Sequence, residues 1–206
     1  MTERIPVDLW FDPFCPFAWM TSRWLLEVEK VRSIEPRWHI MSLKILNEDK
    51  EIPAEYRELT EKALGPARVV AAVQHKYDSE TVGRLYTELG VRFHNRGGLK
   101  EPDRLRELVE ESLAAAGLDR GFADAMDSEE FDEVLRASHD DGINRVGQDV
   151  GTPVIAVGDV AFFGPVVSPA PKGEEAGRLW DGVRLVAGFD GFFEIKRTRT
   201  RPPIFD

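Results

Sequence analysis

The chain holds one cysteine, Cys15, in the run Trp10-Phe11-Asp12-Pro13-Phe14-Cys15-Pro16-Phe17-Ala18-Trp19, between an apolar strand pattern and a long helical one. A sulfur at the first turn of a helix faces unpaired backbone N–H groups and the positive end of the helix dipole. Both favour the thiolate, the nucleophilic form. Pro16 suits the first helical position, where its missing N–H costs nothing. A dithiol Cys-x-x-Cys site would carry its second sulfur at position 18, and that residue is Ala18. The chemistry expected is that of one sulfur, with no internal disulfide available.

The elements that must position Cys15 are legible around it. Val7 to Phe11 predicts a buried strand closed by Asp12-Pro13. Phe17, Thr21, Trp24, Val28 and Val31 then recur at steps of three and four, an amphipathic helix starting near Cys15. Pro36 breaks the pattern, and Arg37 to Leu43 predicts a second strand, parallel to the first through a right-handed crossover. From about Ile52 only helical patterns follow: Glu55 to Leu64, Ala67 to Tyr77, Thr81 to Asn95, Asp103 to Ala116 and Glu129 to Arg145, punctuated by Gly65-Pro66, Gly97-Gly98 and Gly117 to Gly121. Strand pattern resumes at Thr152 to Val157, turns at Gly158-Asp159 and returns through Val160 to Phe163, a hairpin signal. A helix over Gly173 to Ala187 closes the order β-α-β, helical block, β-β-α.

A cysteine taken alone is more often a small buried hydrophobe than a nucleophile, and Thr-Pro is more often a strand-opening proline. Context reverses both. Cysteine-proline at a strand-to-helix turn, this element order, and Thr152-Pro153 opening the third strand together resemble the thioredoxin superfamily. A cis Thr152-Pro153 bond would aim backbone polar groups at the sulfur; the sequence leaves the isomer open. The chain resembles more specifically the actinobacterial branch of the DsbA-like family, and within it the mycothiol-dependent nitroreductases. The resemblance rests on Phe11 to Pro16, Thr21-Ser22-Arg23-Trp24, Met41-Ser42-Leu43 with Leu46-Asn47-Glu48, His94-Asn95, Asp149 to Pro153, Phe162 to Pro165 and Lys196 to Thr200.

It implies an α/β, thioredoxin-like fold (βαβ…ββα) with an inserted all-helical subdomain: residues 1–51 and 150–206 form the thioredoxin-like part and 52–149 the insert. It implies a homodimer. Cys15 is the nucleophile by this resemblance, Pro16, Phe17 and Ala18 complete its motif, and Asn47, Tyr56 and His94 help form a thiol and substrate pocket. Phe17 is its aromatic wall and Thr152-Pro153 its floor. Without the resemblance, a histidine such as His94 on an amphipathic helix is more often a surface or capping residue. The co-substrate implied is a low-molecular-weight thiol, mycothiol, and the acceptor a disulfide or small nitroaromatic. With Ala18 at the second position, Cys15 must form a mixed disulfide that a second thiol molecule resolves. Two other readings stay open: a kappa-type glutathione transferase or hydroxychromene-carboxylate isomerase, which needs only one polar residue at the helix start, and a redox-inactive binding module. Ala18 has two origins open to it, a natural monothiol branch or an engineered replacement.

Composition bounds the rest. At 206 residues, 42% hydrophobic, the chain accommodates one domain carrying an insert. A net charge of −10 argues against nucleic-acid binding. No segment has the apolar length of a membrane span, and the amino terminus reads without a leader, so a cytoplasmic setting with a reduced thiol is expected. Lys196-Arg197-Thr198-Arg199-Thr200-Arg201 reads as a solvated or subunit-contacting strand rather than an anion site. No His, Cys, Asp and Glu set has metal-ligand spacing, and His39, His75 and His139 receive no role.

Overall fold

The structure, a computed structural model, describes residues 4–205. Strand β1 (Ile5–Phe11) runs into helix α1 (Pro16–Glu29), and the chain returns as β2 (Ile34–Ile40) parallel to β1, pairing Ile5 with Ile34 through Phe11 with Ile40. After the helices α2 (Leu43–Leu46), α3 (Ala54–Lys76), α4 (Ser79–Gly90), α5 (Leu105–Ala115) and α6 (Asp132–Ile143), the hairpin β3 (Val154–Val157) and β4 (Val160–Phe163) completes a sheet of order β2-β1-β3-β4. β3 runs antiparallel to both neighbours, and Gly158 supplies the left-handed turn residue between β3 and β4. Helix α7 (Gly173–Ala187) packs on α1, where Trp24 and Trp180 meet at 5.9 Å. This is the expected thioredoxin-like order with helices between β2 and β3.

β1 is central, and its alternation divides the core. Phe11 stacks on Tyr86 of α4 at 3.6 Å, whereas Trp10, facing the other way, stacks on His39 and lies beneath α6, where Gly142 leaves no room for a Cβ. β2 begins three residues earlier than expected and carries Pro36 inside it. The reason is position: β2 is an edge strand, and on its open side lie the amides of Trp38 and Ile40 and the amide-less Pro36. Trp38 N–H is taken by Ser79 Oγ at 2.5 Å and Ile40 N–H by Gln74 Oε1 at 2.8 Å. Helices α3 and α4 thus cover the edge with side chains. Met41 to Leu43, expected as strand, leaves the sheet because Ser42 caps α2 instead, accepting from Ile45 N–H.

The two helices expected on either side of Gly65-Pro66 are one helix, α3. Proline inside a helix costs about 3 kcal/mol, and here a long apolar face offsets it: Ala63, Pro66, Ala67 and Val69 to Val73 are all buried. The 3₁₀ segment Arg120–Asp127 was not expected; Met126 from it packs over Gly65. The expected Thr81 to Asn95 helix ends as α-helix at Gly90 and continues as a π turn, Val91–Asn95. No regular strand forms over 196–201, contrary to expectation.

A Cβ on Gly90 would lie 2.2 Å from the Trp19 ring, whereas one on Gly182 in α7 meets nothing within 4 Å. Gly90→Ala should therefore destabilise by about 1–3 kcal/mol and Gly182→Ala stabilise by about 0.5–1 kcal/mol. Urea denaturation of the two variants against the parent measures both signs; equal effects would contradict this packing.

Candidate active site

Asp12 follows the last residue of β1, and its carboxylate is fully buried. Oδ1 accepts Phe14 N–H and Oδ2 accepts Leu43 N–H, both at 2.7 Å, while the Asp12 carbonyl accepts Cys15 N–H at 3.0 Å. One side chain thus ties the β1–α1 loop to the β2–α2 loop. Cys15 is left at the N-cap of α1, 8% exposed, its Sγ accepting Ala18 N–H at 3.4 Å and its thiol donating to the Thr152 carbonyl at 3.4 Å. The Thr152-Pro153 bond is cis.

Burial dominates the electrostatics of the sulfur. The thiol is pushed up to about 12 chiefly by desolvation, with the Ala18 N–H opposing, the Asp12 charge adding to the rise, and the Arg199 charge lowering it. The N–H groups at the helix start act in the direction expected of them, lowering the thiol, but in this closed arrangement desolvation outweighs them. Asp12 is itself raised to about 7 by burial against its two N–H donors.

The expected pocket residues separate into three groups. Pro16 and Ala18 lie in the first turn of α1, and Ala18 is fully buried. Asn47 caps the end of α2, donating Nδ2–H to the Leu43 carbonyl at 2.8 Å, and Tyr56 lies at the start of α3, where the Asn47 side chain lowers its phenol slightly against burial. Burial and the charges of Cys15 and Asp12 raise the Tyr56 phenol, which places it in the field of the sulfur. His94 faces the backbone: its Nε2–H donates to the Pro13 carbonyl at 2.8 Å, and burial lowers it to about 4, so it is neutral. Its ring lies against Trp19 and Phe205. His94 thus braces the Cys15 loop from behind.

Three contributors were not expected from the sequence. Asp12 was read as a strand stop; the signal was a carboxylate within an apolar run. Arg199 lies over the Phe17 ring at 4.8 Å, although its segment was read as solvated. Trp19 donates Nε1–H to Asn95 Oδ1 at 2.9 Å and carries the Arg23 guanidinium 3.9 Å above its ring. The unassigned histidines have structural partners: His39 with Asp8 at 2.7 Å, His139 accepting Ser42 N–H, His75 beside Phe131. Two cavities, of about 760 and 570 Å³, open elsewhere, one along β2 and α4 and one beside Arg23 and Lys30; Cys15 lines neither. Among the described residues no group of three His, Cys, Asp or Glu could hold a metal, and no helix is long and apolar enough to cross a membrane.

A family profile described as Rv2466c-like, mycothiol-dependent nitroreductase Rv2466c, matches residues 14–197. The chain belongs to this family. Membership supports a thiol-dependent redox function. An uncharacterized protein of Mycobacterium tuberculosis, Rv2286c, is 29% identical over 199 residues, spanning 94% of this chain and 82% of the relative. Among solved structures, a 2-hydroxychromene-2-carboxylate isomerase is similar at a TM-score of 0.58 and 16% identity, covering 88% of this chain and 94% of that one. The cytosolic disulfide reductase DsbM of Pseudomonas aeruginosa, solved with GSH, is similar at 0.56 and 15%, covering 87% and 98%. The oxidoreductase DsbA of Xylella fastidiosa is similar at 0.53 and 16%, covering 88% and 85%. At such identities these structures show the shared fold alone.

Asp12 binds its proton more tightly folded than unfolded, so its contribution to stability is complete below about pH 4 and is lost as pH rises through about 7. Asp12→Asn keeps one acceptor but turns an amide N–H₂ towards a backbone N–H, at a cost of about 2 kcal/mol. Urea denaturation should find the gap between parent and variant narrowing from pH 4 to pH 8. A gap that widens over this range would refute the buried, raised carboxyl.

Proposed function

We propose that this protein is a monothiol oxidoreductase in which Cys15 exchanges with a low-molecular-weight thiol. The observation that carries this reading is the placement of the one sulfur at the N-cap of α1, against the Thr152 carbonyl, with a buried alanine where a dithiol enzyme holds its second sulfur. In the first step the Cys15 thiolate attacks a disulfide. A new S–S bond forms on Cys15, the old one breaks, and the leaving thiolate takes the electron pair. A second thiol then attacks the mixed disulfide, regenerating Cys15 and releasing the thiol pair as its disulfide. With a nitroaromatic acceptor the two electrons reduce nitro to nitroso, two thiols giving one disulfide and one water. Ala18 makes the external thiol obligatory in every cycle.

The family description supports mycothiol as that thiol, and the site fits a neutral, sugar-bearing one. Asn47 and Tyr56, both uncharged, are polar side chains that can meet hydroxyl groups, with Tyr56 close enough to the sulfur to feel its charge, and Phe17 offers an apolar wall. Thr152 and Pro153 close the opposite side. We also propose a homodimer, supported by the exposed Leu185, Phe189, Phe193 and Ile195, apolar side chains that a monomer leaves in water.

Intact-mass spectrometry tests the exchange. Oxidised mycothiol should add one thiol to the parent and nothing to Cys15→Ser, and reduced mycothiol should remove the adduct. Ala18→Cys should convert the adduct into an internal disulfide with no bound thiol. Absence of any adduct on folded parent protein would refute the monothiol reading. Turnover surviving in Cys15→Ser would replace it with isomerase-like chemistry.

A further inference from the structure

The segment after α7 doubles back across the molecule to the mouth of the Cys15 site. Two contacts fasten it to the loop after β4: Ser168 Oγ–H donates to the Pro202 carbonyl at 3.2 Å, and Ile204 N–H donates to Ser168 Oγ at 2.9 Å. A third fastening is Phe205, whose ring lies 5.4 Å from that of His94, itself bonded to Pro13 beside the thiol loop. Between α7 and these anchors the strap carries Arg199, its guanidinium 4.8 Å above the ring of Phe17, two residues after Cys15. Among the described residues no carboxylate lies within ion-pair distance of Arg199. Other arginines are neutralised, Arg32 by Glu174 and Asp181, Arg68 by Asp132, Arg92 by Glu88. A guanidinium stacked on an aromatic ring keeps its charge and has N–H donors left for an anion.

We propose that Arg199 is a positioning residue for the nucleophile: the C-terminal strap lays its guanidinium over Phe17 so that it holds negative charge on the Cys15 sulfur. The step it assists is ionisation, Cys15–SH giving Cys15–S⁻ with the proton passing to solvent, and it equally favours return of the electron pair to this sulfur when the mixed disulfide is resolved. Of the charged groups around the sulfur, Arg199 is the one that favours the thiolate. Asp12 on the preceding loop disfavours the thiolate, Tyr56 from α3 and Tyr86 from α4 are neutral phenols, and His94 from the π turn is neutral and committed to Pro13. Arg199 opposes the Asp12 charge and acts with the Ala18 N–H. The strap is thus part of the active site.

This rests on Cys15 being the nucleophile proposed above, and its test is independent of any physiological thiol. Because the chain has one cysteine, the rate of its alkylation by iodoacetamide between about pH 7 and 10, proportional to the thiolate fraction and with Cys15→Ser as blank, titrates this ionisation alone below its midpoint. Arg199→Gln should move the titration up by about one pH unit, an about tenfold lower thiolate fraction at any pH below the midpoint. Arg199→Lys should restore most of it, and molar salt should narrow the gap between parent and Arg199→Gln. Arg199 is exposed, so these variants should fold, and thermal unfolding checks that they do. Coincident titrations of parent and Arg199→Gln, or a shift that Arg199→Lys does not reverse, would overturn the proposal. A shifted titration in a protein that forms no mixed disulfide would instead count against the monothiol exchange and leave the role of Arg199 standing.

Discussion

Two backbone N–H groups meeting one buried carboxylate hold the thiol loop in place. Asp12 takes its hydrogen bonds from Phe14, in the turn that presents Cys15, and from Leu43, in the turn that leaves β2. The two strands are already paired in parallel up to Phe11 and Ile40. The carboxylate extends that pairing by one more layer, into loops where no ladder can continue. Burying a carboxylate is unfavourable, and its two N–H donors are what make it tolerable. The energetic cost remains visible as a raised proton affinity, and the same charge, when present, disfavours a thiolate three residues away.

The site is therefore a compromise between closure and ionisation. Closure comes from Thr152 and Pro153 on one side and the first turn of α1 on another. Burial between them excludes water from the sulfur, and desolvation is the largest influence on its proton. A helix N-terminus offers a modest counterweight. A sulfur so enclosed is out of reach of a bulky reagent unless protein is displaced.

Local patterns made much of the fold legible. The strand at Val7 to Phe11, the helix beginning after Cys15, the hairpin at Gly158 and the helix over Gly173 to Ala187 all carry their own periodicity and punctuation, and the structure has them. What misled was tertiary. Pro36 and Pro66 are breakers by local rules, yet one sits where an edge strand has no partner and the other inside a helix buried along its length. The candidate site divides the same way. Cys15 and Thr152 could be paired through a resemblance, and they meet. Arg199 stood out only as part of a charge run read as solvated, and Phe205 not at all, since nothing in residues 190–205 announces a chain that turns back over the first helix. His94 was legible as a residue of interest and not as to what it does, because only coordinates show its ring nitrogen held by a carbonyl.

Sheet edges are where proteins stick to themselves, and β2 is such an edge. Its outward amides are answered by Ser79 and Gln74, side chains of the very helices that interrupt the α/β order. Those helices are consequently no ornament grafted on a finished scaffold. A shortened chain lacking them would bare a strand with two unsatisfied donors and a proline gap between it and solvent, a surface prone to pairing with its own copies.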